Sequence, residues 1–278
     1  MINWEIKKIF KSKNGIIALI LFFILSISMI FIKPQLGGAG DYKDIAFWKV
    51  FNYRAFHPFM TSIMLIIIIT IFSNIYTDEV ISTVDNLILS SRNKHKVLYS
   101  KLALSIGVPT FLYIVYLAIQ FIITNIQYGK PINGELQAIR MFDTPLLLKD
   151  GDTIYKFVLL KIGIMLIILI SLGVLASLFS FITTNSIQST SGFLIFIFLG
   201  KAMTLIKFLP KEALLIFSKI NFIDLIFNFN EFVGMYFGRL KVFSTSLDVT
   251  NLCLSIIIAA LFIEIFLCKN IFKKFLTR

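Results

Sequence analysis

The chain has 278 residues, of which 58% are hydrophobic and only 15% charged, and its formal net charge is +12. A soluble domain carries roughly a quarter of its residues charged, so this composition excludes an ordinary water-soluble enzyme. The bases flank apolar runs instead of striping a polar domain, which speaks against nucleic acid as a partner.

In residues 1–14, Ile2, Ile6, Ile9 and Phe10 recur at helical spacing, with Glu5, Lys7, Lys8 and Lys11 on other faces and Trp4 suited to headgroups. That pattern predicts an amphipathic helix lying in a membrane interface. The next run, GIIALILFFILSISMIFI over about 15–32, carries no charge. Runs of about 18 apolar residues or more are long enough to cross a bilayer as a helix. This one exceeds the core of a cleaved signal, roughly 7–15 residues, and no A-x-A site follows. It is expected to stay.

Residues 33–58 read as a loop, with GGAG at Gly37 to Gly40 and an aromatic approach, FNYRAFHPF, to a second charge-free span at about 59–76. The segment after it runs YTDEVISTVDNLILSSRNKHKVLYSKL, from Tyr76 to Leu102. Val80, Ile81, Val84, Leu87 and Ile88 fall on one helical face, while Asp78, Glu79, Ser82, Thr83, Asp85 and Asn86 cover the rest. Thr77 is placed to cap the start, and acids there complement the partial positive charge of a helix amino terminus. Arg92, Lys94, Lys96 and Lys101, with His95 among them, follow the carboxyl end, where cations are favoured. A short surface helix with a basic patch is expected.

The third span, about 102–126, holds Gly107 and Pro109, which are expected to bend it. A second loop, 127–156, is marked by Pro131, Gly134, Pro145 and the turn-like Asp150 to Asp152. The fourth span, about 157–182, carries Lys161 one turn inside, where snorkelling to the headgroups accounts for it. A tight turn at Thr183 to Ser186 leads to the fifth span, about 187–206, in which Lys201 either faces a cavity or snorkels. The stretch 207–250 is apolar but broken by charges: two short helices dipping partway into a leaflet, or a loop on its surface. The sixth span, about 251–268, has Glu264 near its end, with Lys269 and Lys273 as candidate partners. Cys253 and Cys268 lie about 22 Å apart along that helix, too far to bridge.

The expected fold is therefore all-α: one integral membrane domain over 1–278, with six transmembrane helices. An amphipathic interfacial helix precedes them, and a surface helix joins spans two and three. Clusters at Lys7 to Lys13, Arg92 to Lys101 and Lys269 to Arg278 place both termini and that surface helix in the cytoplasm by the positive-inside rule. The abundance of Ile, Phe, Lys and Asn suggests an AT-rich bacterial genome, and the expected location is the bacterial plasma membrane.

No Walker A pattern, H-E-x-x-H, cysteine pair or G-x-S-x-G occurs, so neither catalytic nor metal-binding residues are expected. His57 and His95 fall on opposite sides in the six-span topology. Polar groups deep in the spans are few: Gln120, Thr124, Ser171, Ser177 and Thr204. With Lys201, Gln120 is the candidate for a transport pathway. So apolar a lining suits a lipophilic or amphipathic cargo, such as an antimicrobial peptide or a drug.

Glu79, Ser82-Thr83, the run Leu87 to Ser91, the bases Arg92 to Lys96 and Lys101 follow one another in an order that resembles a known family. These are the permease subunits of type-2 ATP-binding cassette transporters, mostly exporters, whose segment after span two commonly reads E-x-x-G-T, L-L-x-T-P, a basic patch and a Lys entering span three. Ser82 stands for the usual Gly and Ser91 for the usual Pro. With the six spans, the amphipathic start and the broken segment after span five, the resemblance extends over nearly the whole chain. It implies that Asp78, Glu79, Val80, Val84, Leu87 and Ile88 belong to a coupling helix seated in a separate ATPase subunit. That partner would bind ATP and Mg²⁺, which this chain has no motif to hold. It further implies a second permease chain, identical or related, with the pathway between the two. The rival readings are a secondary transporter or channel without an ATPase, and a membrane protein that senses or gives immunity to a peptide.

Overall fold

The computed structural model of the chain describes residues 2–34, 43–82, 94–141, 152–206, 208–234, 239–242 and 245–277. The described elements are helices, apart from an antiparallel hairpin of β1 (Arg239–Val242) and β2 (Thr245–Asp248). The fold class is all-α.

Helices α1 (Ile2–Lys11) and α2 (Lys13–Ser28) meet at a bend of 73°. Ser12 makes the corner: its hydroxyl donates to Ile9 O at 2.8 Å and accepts from Gly15 N at 3.0 Å. A Cβ on Gly15 would stand 1.9 Å from Ile9 O, so the corner admits no side chain there. The amphipathic pattern of α1 turns Ile9 and Glu5 inward and leaves Ile2 and Trp4 exposed.

Part of the expected first loop is instead helix α3 (Ala46–Ala55), and the correction has a tertiary cause. Phe47 and Phe51 stack on each other and pack edge-on against Phe121 of α6 (Lys94–Tyr128), so burial orders a run too short to read as a span. His57 then caps α4 (Pro58–Phe72) by accepting from Phe59 N, with Pro58 in the first turn, where its missing N–H costs nothing. Thr77 does not cap α5 (Thr77–Ile81), as the pattern suggested. It is buried, and the amides of Tyr76 and Thr77 donate to Ser180 Oγ, at 2.9 and 3.2 Å.

Helix α6 runs unbroken through Pro109. It is followed by α7 (Ile154–Ile182), α8 (Ser186–Ala202), the short α9 (Lys211–Ile220), α10 (Phe222–Phe227) and α11 (Phe229–Gly234), and the long α12 (Val249–Thr277). The stretch 207–250 is thus three short helices and a hairpin within its described part, where two helices or a loop were expected. Among the described residues five helices are long and apolar enough to cross a membrane, and six if the bent α1–α2 pair counts as one.

Helix α7 sits at the centre, packed against α4, α6, α8 and α12. It approaches α6 closely at Gly173, where an added Cβ would lie 2.3 Å from Ser105 O. Pro109 has no N–H to offer the carbonyl four residues back, which is that of Ser105. The freed oxygen faces the glycine across the helix crossing.

The two ends of the bundle differ. One gathers α1, α5, the start of α6, the α7–α8 turn and the last turns of α12, where Phe272 packs edge-on against Tyr99 and Phe181. The other gathers α3, the end of α6, α10 and α11, with Trp48 Nε1 donating to Ile132 O at 2.9 Å and Phe56 stacked on Phe229.

Candidate functional site

At the first end, the short helix α5 is tied to four other helices through side chains spread over the whole chain. Glu79 turns inward from α5 and is almost fully buried. Its Oε1 accepts from Lys101 Nζ of α6 at 2.7 Å and from Lys8 Nζ of α1 at 2.8 Å. Lys101 is fully buried; its other two donors reach Ile75 O at 3.0 Å and Glu5 Oε2 of α1 at 3.3 Å. Three ammonium hydrogens therefore meet three acceptors. Two acids and two bases balance in formal charge, which is the condition under which buried charges persist.

The rest of the junction is made of hydroxyls. Ser186 Oγ, at the start of α8, donates to Asp78 Oδ1 at 3.2 Å, while Ser180 Oγ near the end of α7 takes the two amides that open α5. Ser189 Oγ donates to Ser73 O, and Ser73 Oγ pairs with Thr190 Oγ1 at 2.9 Å. The four-residue turn from α4 into α5 is thus fastened to α7 and α8 on one side and, through Glu79, to α1 and α6 on the other. The sequence Thr183 to Ser186 holds no base, and its part in the site is this hydroxyl contact.

Asp78, Glu79 and Val80 of the expected coupling helix lie on α5, with Asp78 exposed and Val80 half-buried. Val84, Leu87, Ile88 and Arg92 lie outside the described residues. Lys94 begins α6, its side chain likewise undescribed, and Lys96 is exposed on the first turn of that helix beside His95. Lys101, read as one of a basic cluster in front of a span, is instead inside the bundle, because Glu5 and Glu79 are there to neutralise it.

The two pathway candidates are not brought together. Gln120 is buried between helices and donates to Ser26 O of α2 at 2.8 Å. Lys201 ends α8 and pairs with both oxygens of Asp224 on α10, each at 2.8 Å. Burial alone raises the Asp224 carboxyl, but hydrogen bonds from Lys201, Asn221 and Asn228 outweigh it and hold the group below its ordinary value. Nearby, burial pulls the Lys219 ammonium down.

Three charged side chains have surroundings other than those their spacing suggested. Lys161 does not snorkel. It is fully buried, donating to Asn52 Oδ1 at 2.7 Å and Asn230 Oδ1 at 2.6 Å, with the Phe56 ring 4.3 Å below its ammonium. Helix α12 does not stop near residue 268 but continues to Thr277, so Glu264 lies at mid-helix; it meets Ser171 of α7 and not Lys269 or Lys273. Arg54, which the aromatic run around it conceals, is fully buried on α3. It donates to Ile30 O and Ile32 O, both at 3.0 Å, where α2 runs out, and to Gln127 Oε1 at 2.7 Å. The only signal for it is an arginine among aromatics close to the end of an apolar helix whose last carbonyls need donors.

No known protein family, no curated protein and no solved structure matches the chain.

Proposed function

We propose that the chain is the membrane subunit of an ATP-driven exporter, inserted in a bacterial plasma membrane with both termini cytoplasmic. A separate ATPase subunit, which binds ATP and Mg²⁺, docks on the segment after span two. A second permease chain completes the pathway for a lipophilic or amphipathic cargo.

The observation that carries this reading is the ionic junction of Glu79, Lys101, Glu5 and Lys8. A helix that merely rests on a lipid surface has no need of buried ion pairs to several other helices. A helix that must transmit a push does, since a force on α5 then passes without slack to α1, α6, α7 and α8. The apolar face Val80, Val84, Leu87 and Ile88 supplies the matching interface core. Replacing both Val84 and Leu87 with Asp would bury uncompensated charge at that contact, at about 3–5 kcal/mol. The ATPase should then be lost on purification while the permease still inserts; full ATPase retention with normal transport contradicts the assignment.

The orientation has its own test. In a background lacking Cys253 and Cys268, Ser246→Cys should react with an impermeant thiol reagent on intact cells, and Thr277→Cys only after lysis. The reverse pattern removes α5 from the cytoplasm and with it the ATPase contact.

A further inference from the structure

Between α7, α8, α9 and α12 lies a cavity of about 320 Å³ whose walls are almost wholly apolar, with Phe196, Met203, Phe217, Ile257 and Ala260 among them. Glu264 lines it together with Ser171. Glu264 is only 7% exposed and lies about 22 Å along α12 from Val249 at helical rise. Both its oxygens lie within hydrogen-bond reach of the Ser171 hydroxyl, at 3.1 and 3.0 Å. One hydroxyl carries one proton, so most of the carboxylate's acceptor sites stay unfilled. Among the described residues no Lys, Arg or His is ion-paired with it.

An ionisable side chain buried against so apolar a cavity is costly, and within a membrane-spanning helix it marks a binding or transport site by default. Among the described residues this site lacks a positive charge, and what surrounds it is hydrocarbon and aromatic rings. We infer that the cavity is a binding site for a lipophilic organic monocation, a quaternary ammonium, phosphonium or protonated amphiphilic amine, with Glu264 as its counter-ion. A bare metal ion fits poorly, because hard cations need about six oxygen ligands and the walls supply few. An organic cation needs only one charge partner, apolar walls and ring faces, and Phe196 and Phe217 offer the rings. Entry from the side is open: Phe196 and Leu199 on the cavity wall are themselves exposed on α8. Binding follows from the cavity alone, whereas its role as the cargo site rests on the exporter reading.

The probe is tritiated tetraphenylphosphonium, with tetraphenylborate as the control of equal shape and opposite charge. Binding is measured on the purified full chain in nanodiscs. Wild type should bind the cation saturably, and in a separate assay with no cation present it should not bind tetraphenylborate saturably. Glu264→Gln, which keeps shape and removes charge, should weaken binding by at least about tenfold. Ala260→Trp, which fills the cavity and leaves the carboxylate, should abolish it, with both variants eluting as wild type on size exclusion. Equal binding by Glu264→Gln, or equally tight saturable binding of tetraphenylborate in its own assay, overturns the inference. So does the absence of saturable binding, the outcome if a lipid or a second copy of the chain fills the cleft. ATPase capture by Glu264→Gln, measured in parallel, stands or falls separately and reports on the exporter reading alone.

Discussion

Lys101→Met should cost about 3–5 kcal/mol, the usual penalty for removing one partner from a buried ion pair. The lysine is fully buried, and its loss leaves the Glu5 and Glu79 carboxylates facing each other, each only 3% exposed. Lys8 cannot substitute, because of the two acids it pairs with Glu79 and not Glu5, and its own side chain is 40% exposed. Glu79→Gln should be milder, since an amide oxygen still accepts from Lys101 and Glu5 still neutralises it. Denaturant titration of the purified chain in detergent measures both. A midpoint for Lys101→Met equal to wild type would mean that α1, α5 and α6 are held by other contacts.

The second large effect is expected at the α6–α7 crossing. Gly173→Val places a branched side chain where even a Cβ lies 2.3 Å from Ser105 O, and the obstruction is backbone, which has no rotamer to give. Pro109 Cγ, 3.2 Å from the same point, closes the other direction of relief. The two helices must separate, at about 3 kcal/mol, the upper range for overpacking. Gly163→Ala on the same helix is the matched control, because its Cβ meets nothing within 4 Å. If both variants unfold at the wild-type midpoint, the crossing is looser than its geometry.

How far the sequence discloses this architecture depends on whether the signal is local. The long apolar helices are legible because an unbroken apolar run of that length has one economical form, a helix able to cross a bilayer. Helix α3 is not, since its ten residues are ordered by rings on α6 and not by a pattern of their own. The end of α12 misleads for a related reason. The polar pair Lys269-Asn270 looks like a terminus, yet the helix continues to Thr277 with Phe272 buried. Glu264 thus lies near the middle of the helix. In the junction, Glu79 and Lys101 stand out in the sequence as members of one motif, but their partner Glu5 is separated from Lys101 by 96 positions and carries no mark of its role. Spacing within a segment tells which residues share a face; it cannot tell which distant charge a buried lysine will meet.

The coupling role of the segment after span two is tested most directly by a photo-crosslinking amino acid at Leu87, irradiated in the membranes of the cells that make the protein. The exporter reading predicts one dominant adduct, with a polypeptide that carries a Walker A motif and cleaves ATP, and predicts that the Val84→Asp change abolishes it. Adducts with lipid alone, in membranes where the permease is present at normal levels, would contradict it.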